Sequence, residues 1–198
     1  MTVVVLIGIL AVIAIPTASR MMRENRSATA AQRIALMYQV GRARAIGRGV
    51  AVLVRYTDGT FEVREAITGD ANSLMPVSSC TMPADRWDDP TLNRLIESFA
   101  LAGQAPYELV KTEFSDNVAE PGGSATSSTL GSGDVGDVCF TPNGTMMYRE
   151  GDGAFAIAAR TLMVRVVQMS GTTEVGVSRT VFILPNGVAR VAARTKVD

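Results

Sequence analysis

The stretch VVVLIGILAVIAIP, residues 3–16, decides how the rest of the chain is organised. Apart from its glycine and its closing proline it is wholly aliphatic, and no charged residue occurs between Met1 and Ser19. A helix formed by the uncharged residues Met1–Ser19 measures about 28 Å, close to the roughly 30 Å hydrocarbon core of a bilayer. The stretch therefore predicts a helix that lies in a membrane or in a dry assembly of proteins. The residues predicted to face lipid or neighbouring helices are Val3, Val4, Val5, Leu6, Ile7, Gly8, Ile9, Leu10, Val12, Ile13, Ile15 and Pro16.

An amphipathic pattern follows the proline. Ala31, Ile34, Tyr38 and Ala45 recur at spacings of three, four and seven residues, so they share one face of a continuing helix. Most arginines between residues 20 and 48 fall outside that face. We expect them to be solvated, or to contact lipid head groups or acidic neighbouring subunits. The first element is therefore predicted to be one long helix, bent where the proline interrupts it.

The spacing of the apolar residues changes at the end of this helix. Gly47 and Gly49 predict its C-terminus, because glycine commonly follows the last helical residue. Beyond them the apolar residues alternate. Val50–Tyr56 and Thr60–Ala66 are predicted to be strands, joined by the turn Asp58–Gly59 into an antiparallel hairpin.

The middle of the chain is less regular. Asp89 and Pro90 predict the N-cap and first turn of a short helix that ends near Gly103. Tyr107–Phe114 is predicted to be a strand, and residues 115–136, rich in glycine and serine, a mobile loop. The apolar positions of the short predicted helix are Leu92, Leu95, Ile96 and Phe99.

Two copies of Pro-Asn-Gly, at residues 142–144 and 185–187, each lie between apolar segments near the end of the chain. Such turns join antiparallel strands. Strands are predicted around them at 145–149, 154–169, 175–183 and 188–192. The predicted fold class is therefore α+β, a long helix packed on an antiparallel sheet. Residues 1–24 form its apolar helix half, and residues 25–198 a single globular domain.

Composition excludes several functions. The chain has 19 basic and 19 acidic residues, so it is not a basic nucleic-acid coat protein. The charges are segregated, with +7 over residues 1–57, −11 over 58–152 and +4 over 153–198. Histidine is absent, which excludes histidine-dependent triads and histidine-ligated zinc. We predict that the chain is not an enzyme and has no catalytic residues, cofactor or metal.

Cys80 and Cys139 are the two cysteines of the chain. Two thiols are too few for a four-thiolate metal site, and no C-x-x-C motif is present. They are either two buried thiols or a disulfide formed in an oxidising compartment. A disulfide between them would close a loop of about 60 residues. In the chain-entropy treatment, such a disulfide contributes about 4 kcal/mol to the free energy of unfolding.

Residues 8–16, GILAVIAIP, resemble the core of the N-terminal segment of type IV pilins and type II secretion pseudopilins. Residues 41–52, GRARAIGRGVAV, are similar to the end of the long helix and the first strand in the GspH/FimT group of minor pseudopilins and minor pilins. Gly41 stands where that group usually has alanine, and Arg44 where it has an acid. The resemblance implies a pilin-like fold. It also implies that a basic leader, a processing glycine and an assembly glutamate precede Met1.

The resemblance further implies a structural function. Such subunits cross the bacterial inner membrane once, with the sheet domain in the periplasm, and then enter a pilus or a secretion pseudopilus. Their partners are other pilins or pseudopilins, bound through the N-terminal helix, and an assembly platform in the inner membrane. Minor subunits help to initiate or cap the filament at its tip. Arginines directly after a membrane span favour the opposite orientation, which the basic leader would reverse.

Two alternatives remain from the residues themselves. One is a minor pilin that binds DNA for uptake, because some members of the FimT side of the group do so through arginines near the C-terminus. The candidate residues here are Arg190, Arg194 and Lys196, of which the first two share one face of a strand. The other is calcium binding by clustered loop carboxylates. Those carboxylates are Asp85, Asp88 and Asp89, or Asp134 and Asp137.

Overall fold

The structure is a computed structural model that describes residues 2–57, 59–68, 77–81, 87–101, 110–115, 135–150, 153–159, 161–170 and 173–193. For residues 2–23, 110–115, 135, 150, 168–170, 173–176 and 193 it describes the backbone alone. Within these limits the fold is α+β, with one N-terminal helix packed on antiparallel sheets. The predicted class is confirmed at that level.

Helix α1 spans Thr2–Arg48, 47 residues. At 1.5 Å per residue it is about 70 Å long. It continues through Pro16, and it ends where the sequence predicts, since Gly49 has a φ of 70° and its N–H donates to the carbonyl of Ala45 at 3.0 Å. Glycine adopts this left-handed conformation without the penalty that a Cβ atom brings.

Ten strands follow in the described part of the chain. They are β1 (Val52–Thr57), β2 (Thr60–Ala66), β3 (Asn93–Ala100), β4 (Val110–Ser115), β5 (Val135–Phe140), β6 (Met146–Glu150), β7 (Ala156–Ile157), β8 (Leu162–Ser170), β9 (Thr173–Ile183) and β10 (Ala189–Ala193). One sheet has the order β3-β2-β1-β5-β6-β7, and the second has the order β10-β9-β8-β4. All recorded pairings are antiparallel.

The three predicted hairpins are present. Strands β1 and β2 pair with Thr57 opposite Thr60, and Gly59 in their turn has a φ of 76°. The two Pro-Asn-Gly turns join β5 to β6 and β9 to β10, and their glycines, Gly144 and Gly187, have φ values of 83° and 77°. A positive φ at the last turn position explains why glycine occupies it in each case.

The main core lies between α1 and both sheets. The four helix residues predicted to share one face, Ala31, Ile34, Tyr38 and Ala45, are completely buried. They pack with alternate residues of the two sheets, because every second side chain of a strand points to the same side. These include Val52, Val54, Phe61 and Phe140 from the larger sheet and Val164, Val181 and Ile183 from the smaller one.

The short helix predicted after Pro90 is wrong, because residues 93–100 form strand β3 at an edge of the larger sheet. The register shifts between Val63 and Arg64 of β2, so that Ile96 has no directly opposite partner. Such a bulge breaks the two-residue alternation, and the resulting spacing of apolar residues imitates a helix. Asp89 does accept hydrogen bonds from the N–H and hydroxyl of Thr91, at 2.8 and 2.6 Å, but this turn leads into a strand.

Other expectations fall partly outside the described residues. Asp58 of the first turn, residues 107–109 of the predicted third strand and residues 116–134 of the predicted loop are among them. Strand β5 begins at Val135, so the last two residues assigned to the loop belong to the larger sheet.

Candidate functional site

The surface on which α1 docks is the candidate functional site, because it sets how much of the helix the sheet domain covers. Where side chains are described, the buried helix residues begin at Ser27 and continue to Ala45. Residues 24–26, immediately before them, are exposed or partly exposed. The sheet domain therefore covers the C-terminal part of the helix between residues 27 and 45.

The turn between β9 and β10 lies directly against the helix. A Cβ atom placed on Gly187 would be 2.5 Å from Cδ of Arg42 and 2.9 Å from Cε1 of Phe140. Beside this turn, Nε2 of Gln39 donates to the carbonyl of Ala189 at 2.9 Å. Glycine is therefore needed at position 187 for space as well as for backbone conformation.

Two further glycines lie at the same end of the helix. A Cβ atom on Gly41 would be 3.0 Å from Cγ2 of Val54, so glycine here lets the helix approach strand β1 closely. The turn between β5 and β6 approaches less closely, since a Cβ atom on Gly144 would be 3.8 Å from Cδ1 of Ile46. The two Pro-Asn-Gly turns, one from each sheet, thus lie beside the same two turns of the helix.

An ion pair and a cation–π contact connect one side of the helix to the edge strand of the larger sheet. Arg33 lies 2.6 Å from the Glu97 carboxylate on β3, and its guanidinium stands 5.7 Å from the ring centre of Phe99. This arginine belongs to the group that the sequence predicts to be solvated or to contact lipid or neighbouring subunits. The Arg33 side chain is half exposed, in agreement with the solvated position predicted, and it also has an acidic partner in its own chain.

Three arginines converge on Glu65 at the C-terminal end of the helix. Nε of Arg44 lies 2.6 Å, Nε of Arg48 2.8 Å and an Nη2 atom of Arg94 3.5 Å from its carboxylate oxygens. The Glu65 side chain is only 2% exposed. Burial opposes its ionisation, but the hydrogen bond from Arg44 and the three positive charges outweigh burial and hold the pKa of Glu65 below its usual value of 4.5. We call these four residues the Glu65 cluster.

Within the cluster, Nε of Arg44 donates a hydrogen bond to the Glu65 carboxylate on β2. A charge-assisted hydrogen bond of this kind is stronger than a neutral one.

The face of the larger sheet that points away from the helix has its own small core. Cys80 and Cys139 form a disulfide there, with a Cα–Cα distance of 5.9 Å. Trp87, which is completely buried, packs with both cysteines and with Leu53 of β1. The disulfide holds the segment around residue 80 on strand β5, across a sequence separation of 59 residues.

Buried charges accompany this second core. The Asp137 side chain has no exposed surface and accepts from Nε of Arg55 at 2.9 Å and Nε of Arg149 at 3.1 Å. Arg55 also contacts the exposed Asp88, and the Arg149 guanidinium lies 4.5 Å from the ring centre of Phe155. A buried carboxylate with two guanidinium partners is satisfied electrostatically. Asp137 therefore has an arginine environment instead of the clustered oxygens that calcium prefers.

The calcium hypothesis finds no support in this arrangement. Asp88 binds Arg55 and Asp89 stabilises its own turn, while Asp85 and Asp134 lie outside the described residues. In the described part of the chain, no group of three or more potential metal-ligating residues occurs.

The candidate DNA-binding residues are only partly described. Arg190 is exposed on β10, which forms an edge of the smaller sheet, and it lies opposite Phe182. Arg194 and Lys196 lie outside the described residues, so their position relative to Arg190 is not defined.

Glu65 was not among the residues singled out from the sequence, and Asp137 was singled out only as a candidate calcium ligand, not as the partner of two arginines. Glu65 lies 21 residues from Arg44, and Asp137 lies 82 residues from Arg55, so no local spacing joins these partners. The sequence did contain one indication that Glu65 is buried. Glu65 occupies an alternating strand on the same face as Val63, which made it a charged residue on a predicted core face.

Comparison with protein-family models, curated proteins and solved structures finds no match to this chain. Within the described residues, no helix has both the length and the apolar character required to cross a membrane. The side chains of residues 1–23, which include nearly all of the predicted apolar half, lie outside that description.

Proposed function

We propose that this chain is a minor pilin or pseudopilin, a structural subunit that helps to initiate or cap a type IV pilus or a type II secretion pseudopilus. In this proposal the fold is pilin-like. Residues 1–24 lie in the inner membrane before assembly and among the helices of neighbouring subunits afterwards. The sheet domain lies in the periplasm, and an assembly platform in the inner membrane transfers the subunit into the filament.

One observation carries the proposal. The helix is 47 residues long, and its residues buried by the sheet domain lie in its C-terminal half, between Ser27 and Ala45. The preceding sequence is uncharged from Met1 to Ser19. An uncharged aliphatic helix suits both lipid and a helix bundle, because its backbone groups are satisfied internally and neither setting requires water. The same helix can therefore be stored in the membrane and used in the filament.

The disulfide supports the periplasmic orientation. Disulfides persist in oxidising compartments such as the bacterial periplasm and are rare in the cytosol. The bond between Cys80 and Cys139 belongs to the sheet domain, so it favours placing that domain outside the inner membrane. The arginines that follow the apolar segment favour a cytoplasmic sheet domain, whereas the disulfide favours a periplasmic one.

The way the helix is fixed supports a load-carrying subunit. Two hairpin turns and the Glu65 cluster hold the last turns of α1 against both sheets. In this proposal, force applied to the helix reaches the sheet domain through these packed and charge-assisted contacts. The proposal needs such a connection, because a filament subunit is moved by its helix.

The test is filament association in the native host, with the protein tagged at its C-terminus. We expect the tagged protein in sheared filaments, and we expect Leu10→Lys to abolish this association because it places a charge in the apolar segment. The matched control is Ile157→Lys, which introduces the same charge at a residue that is 68% exposed on β7. Association that survives Leu10→Lys, or is lost equally in both variants, contradicts the proposal.

A further inference from the structure

Arg42 is a partly exposed arginine of α1 that has no ionic partner among the described residues. Its Nε atom is buried and donates no hydrogen bond within the described part of the chain. By contrast, Arg33, Arg44 and Arg48 of the same helix each lie within 2.8 Å of a glutamate carboxylate. Burial of an N–H group without an acceptor costs free energy, so such a group calls for an explanation. A bound anion would satisfy Arg42.

The two Pro-Asn-Gly turns enclose Arg42 and connect it to Ile46. A Cβ atom on Gly187 would be 3.0 Å from Nε of Arg42, so the turn between β9 and β10 lies directly on this side chain. The same Cβ atom would be 2.9 Å from Phe140, the residue that precedes the other turn. Ile46 lies one helical turn beyond Arg42 and, as described above, beside Gly144 of that other turn. The two turns and the two helix residues therefore form one continuous surface.

The asparagines of the two turns add hydrogen-bond donors to this surface. Oδ1 of Asn143 accepts from the N–H of Thr145 at 3.1 Å, and Oδ1 of Asn186 accepts from the N–H of Val188 at 3.1 Å. These N–H donors fix the orientation of both amides, because the NH₂ group of asparagine cannot accept. Both asparagines are exposed, and neither NH₂ group has a recorded partner in the described ranges. Each turn thus uses its side-chain acceptor internally and leaves its donor free.

We call Arg42, Ile46, Asn143 and Asn186 the twin-turn surface. Its free polar groups are donors, and a guanidinium holds a carboxylate through two parallel hydrogen bonds. Ile46 is 47% exposed beside these donors. Protein interfaces combine apolar contact with hydrogen bonds and are enriched in arginine. A nucleic-acid backbone binds through several cations and would make no use of the aliphatic side chain, so a protein is the better match.

We propose that the twin-turn surface binds a carboxylate that another protein chain presents next to an apolar side chain. Arg42 supplies the ionic contact and Ile46 the apolar one. Because the turn already restrains Arg42, binding costs little of its side-chain entropy. The surface lies about 35 Å along the helix from Ser19. In the proposed filament it would therefore meet a neighbouring subunit away from the membrane. That placement rests on the proposed function, whereas the binding itself does not.

The test is an NMR titration of the isotope-labelled full chain in detergent with three synthetic peptides. The first, acetyl-Leu-Glu-Leu-Glu-amide, carries carboxylates and aliphatic side chains. The second, acetyl-Leu-Gln-Leu-Gln-amide, lacks the carboxylates, and the third, acetyl-Gly-Glu-Gly-Glu-amide, lacks the aliphatic side chains. We expect the first peptide to shift the amide signals of Gly187 and Gly144 saturably. The other two should bind several-fold more weakly, because each lacks one of the two contacts.

Substitutions assign the two contacts to their residues. Arg42→Gln should weaken binding of the first peptide by about tenfold or more, because a charge-assisted hydrogen bond is lost. Its matched control, Arg190→Gln, removes an exposed arginine on β10 and should leave binding unchanged. Ile46→Ala should weaken the first peptide several-fold and the third very little. Its control, Ile157→Ala on β7, should affect neither. Ile46→Ala retains Arg42, so it tests the surface even where Arg42→Gln disturbs the fold.

Several results would overturn the proposal. They are the absence of a saturable shift with the first peptide, equal binding of all three peptides, or stronger binding of a short DNA duplex than of the first peptide. Equal effects of Arg42→Gln and Arg190→Gln would overturn it as well. None of these results bears on the filament test above, because Leu10→Lys changes the apolar segment and leaves the twin-turn surface intact. A failed filament test likewise leaves peptide binding unaffected.

Discussion

Replacement of Gly187 by alanine tests the docking of the helix most sharply. Alanine at a φ of 77° costs about 1 kcal/mol in backbone strain. Its Cβ atom would also stand 2.5 Å from Cδ of Arg42 and 2.9 Å from the ring of Phe140, which forces side chains to move. Overpacking of this kind costs about 1–3 kcal/mol. We therefore expect Gly187→Ala to lower the free energy of unfolding by about 2–4 kcal/mol.

Two glycines with the same backbone conformation provide the controls. Gly59 and Gly144 have φ values of 76° and 83°, but a Cβ atom meets nothing within 4 Å at the first and only Ile46 at 3.8 Å at the second. Each alanine variant should therefore lose only the strain of about 1 kcal/mol. Urea unfolding followed by the fluorescence of the buried Trp87 measures all three. Equal losses at the three positions would refute the close approach of the turn to the helix.

Further outcomes are expected for Glu65, Tyr38, the disulfide and Arg190. Glu65→Gln should lower the free energy of unfolding by about 1–3 kcal/mol at pH 7, because it leaves three arginines without their anion. Since the pKa of Glu65 is lowered in the folded state, its contribution is complete above pH 4.5 and is lost as the pH falls through the lowered pKa, so the variant should show a shallower acid dependence. Tyr38→Phe should leave stability unchanged or raise it by about 1 kcal/mol in thermal unfolding, because the buried Tyr38 hydroxyl has no hydrogen-bond partner among the residues that the structure describes. Burial, followed by the negative charge of Asp137, raises the pKa of Tyr38 far above 10.0, so this tyrosine should resist ionisation in an alkaline absorbance titration. Reduction of the disulfide should lower stability by about 2–4 kcal/mol, measured in urea with and without a reductant. If the chain binds DNA, Arg190→Ala should reduce a mobility shift at low salt, and a chain that gives no shift under those conditions excludes this alternative.

The spacing of apolar residues and the turn residues correctly predicted those parts of the fold that depend on residues close together in the chain. The buried face of the helix followed from apolar spacing, with Ile34 and Tyr38 completely buried as expected. The helix end followed from Gly49, and the hairpins followed from turn residues that adopt a positive φ, as Gly144 and Gly187 do. In each case the residues that specify the structure are neighbours in the chain.

The wrong and missing predictions concern features that depend on residues far apart in the chain. Strand β3 was predicted as a helix because its bulge is defined by pairing with Val63 and Arg64, about thirty residues earlier in the chain. The partners of Glu65 and Asp137 were missed for the same reason, since both acids meet arginines from distant elements. Division of the strands into two sheets also depends on long-range pairing, and the sequence predicted the strands without predicting their partners.

Extraction of native membranes with alkaline carbonate tests the central claim most directly. The claim is that residues 1–24 lie in lipid before assembly, and a helix inserted in the bilayer is not released by a wash that strips peripheral proteins. We expect the full chain to stay with the membrane pellet and to dissolve when detergent is added. Recovery of the folded chain in the carbonate supernatant without detergent would contradict the account.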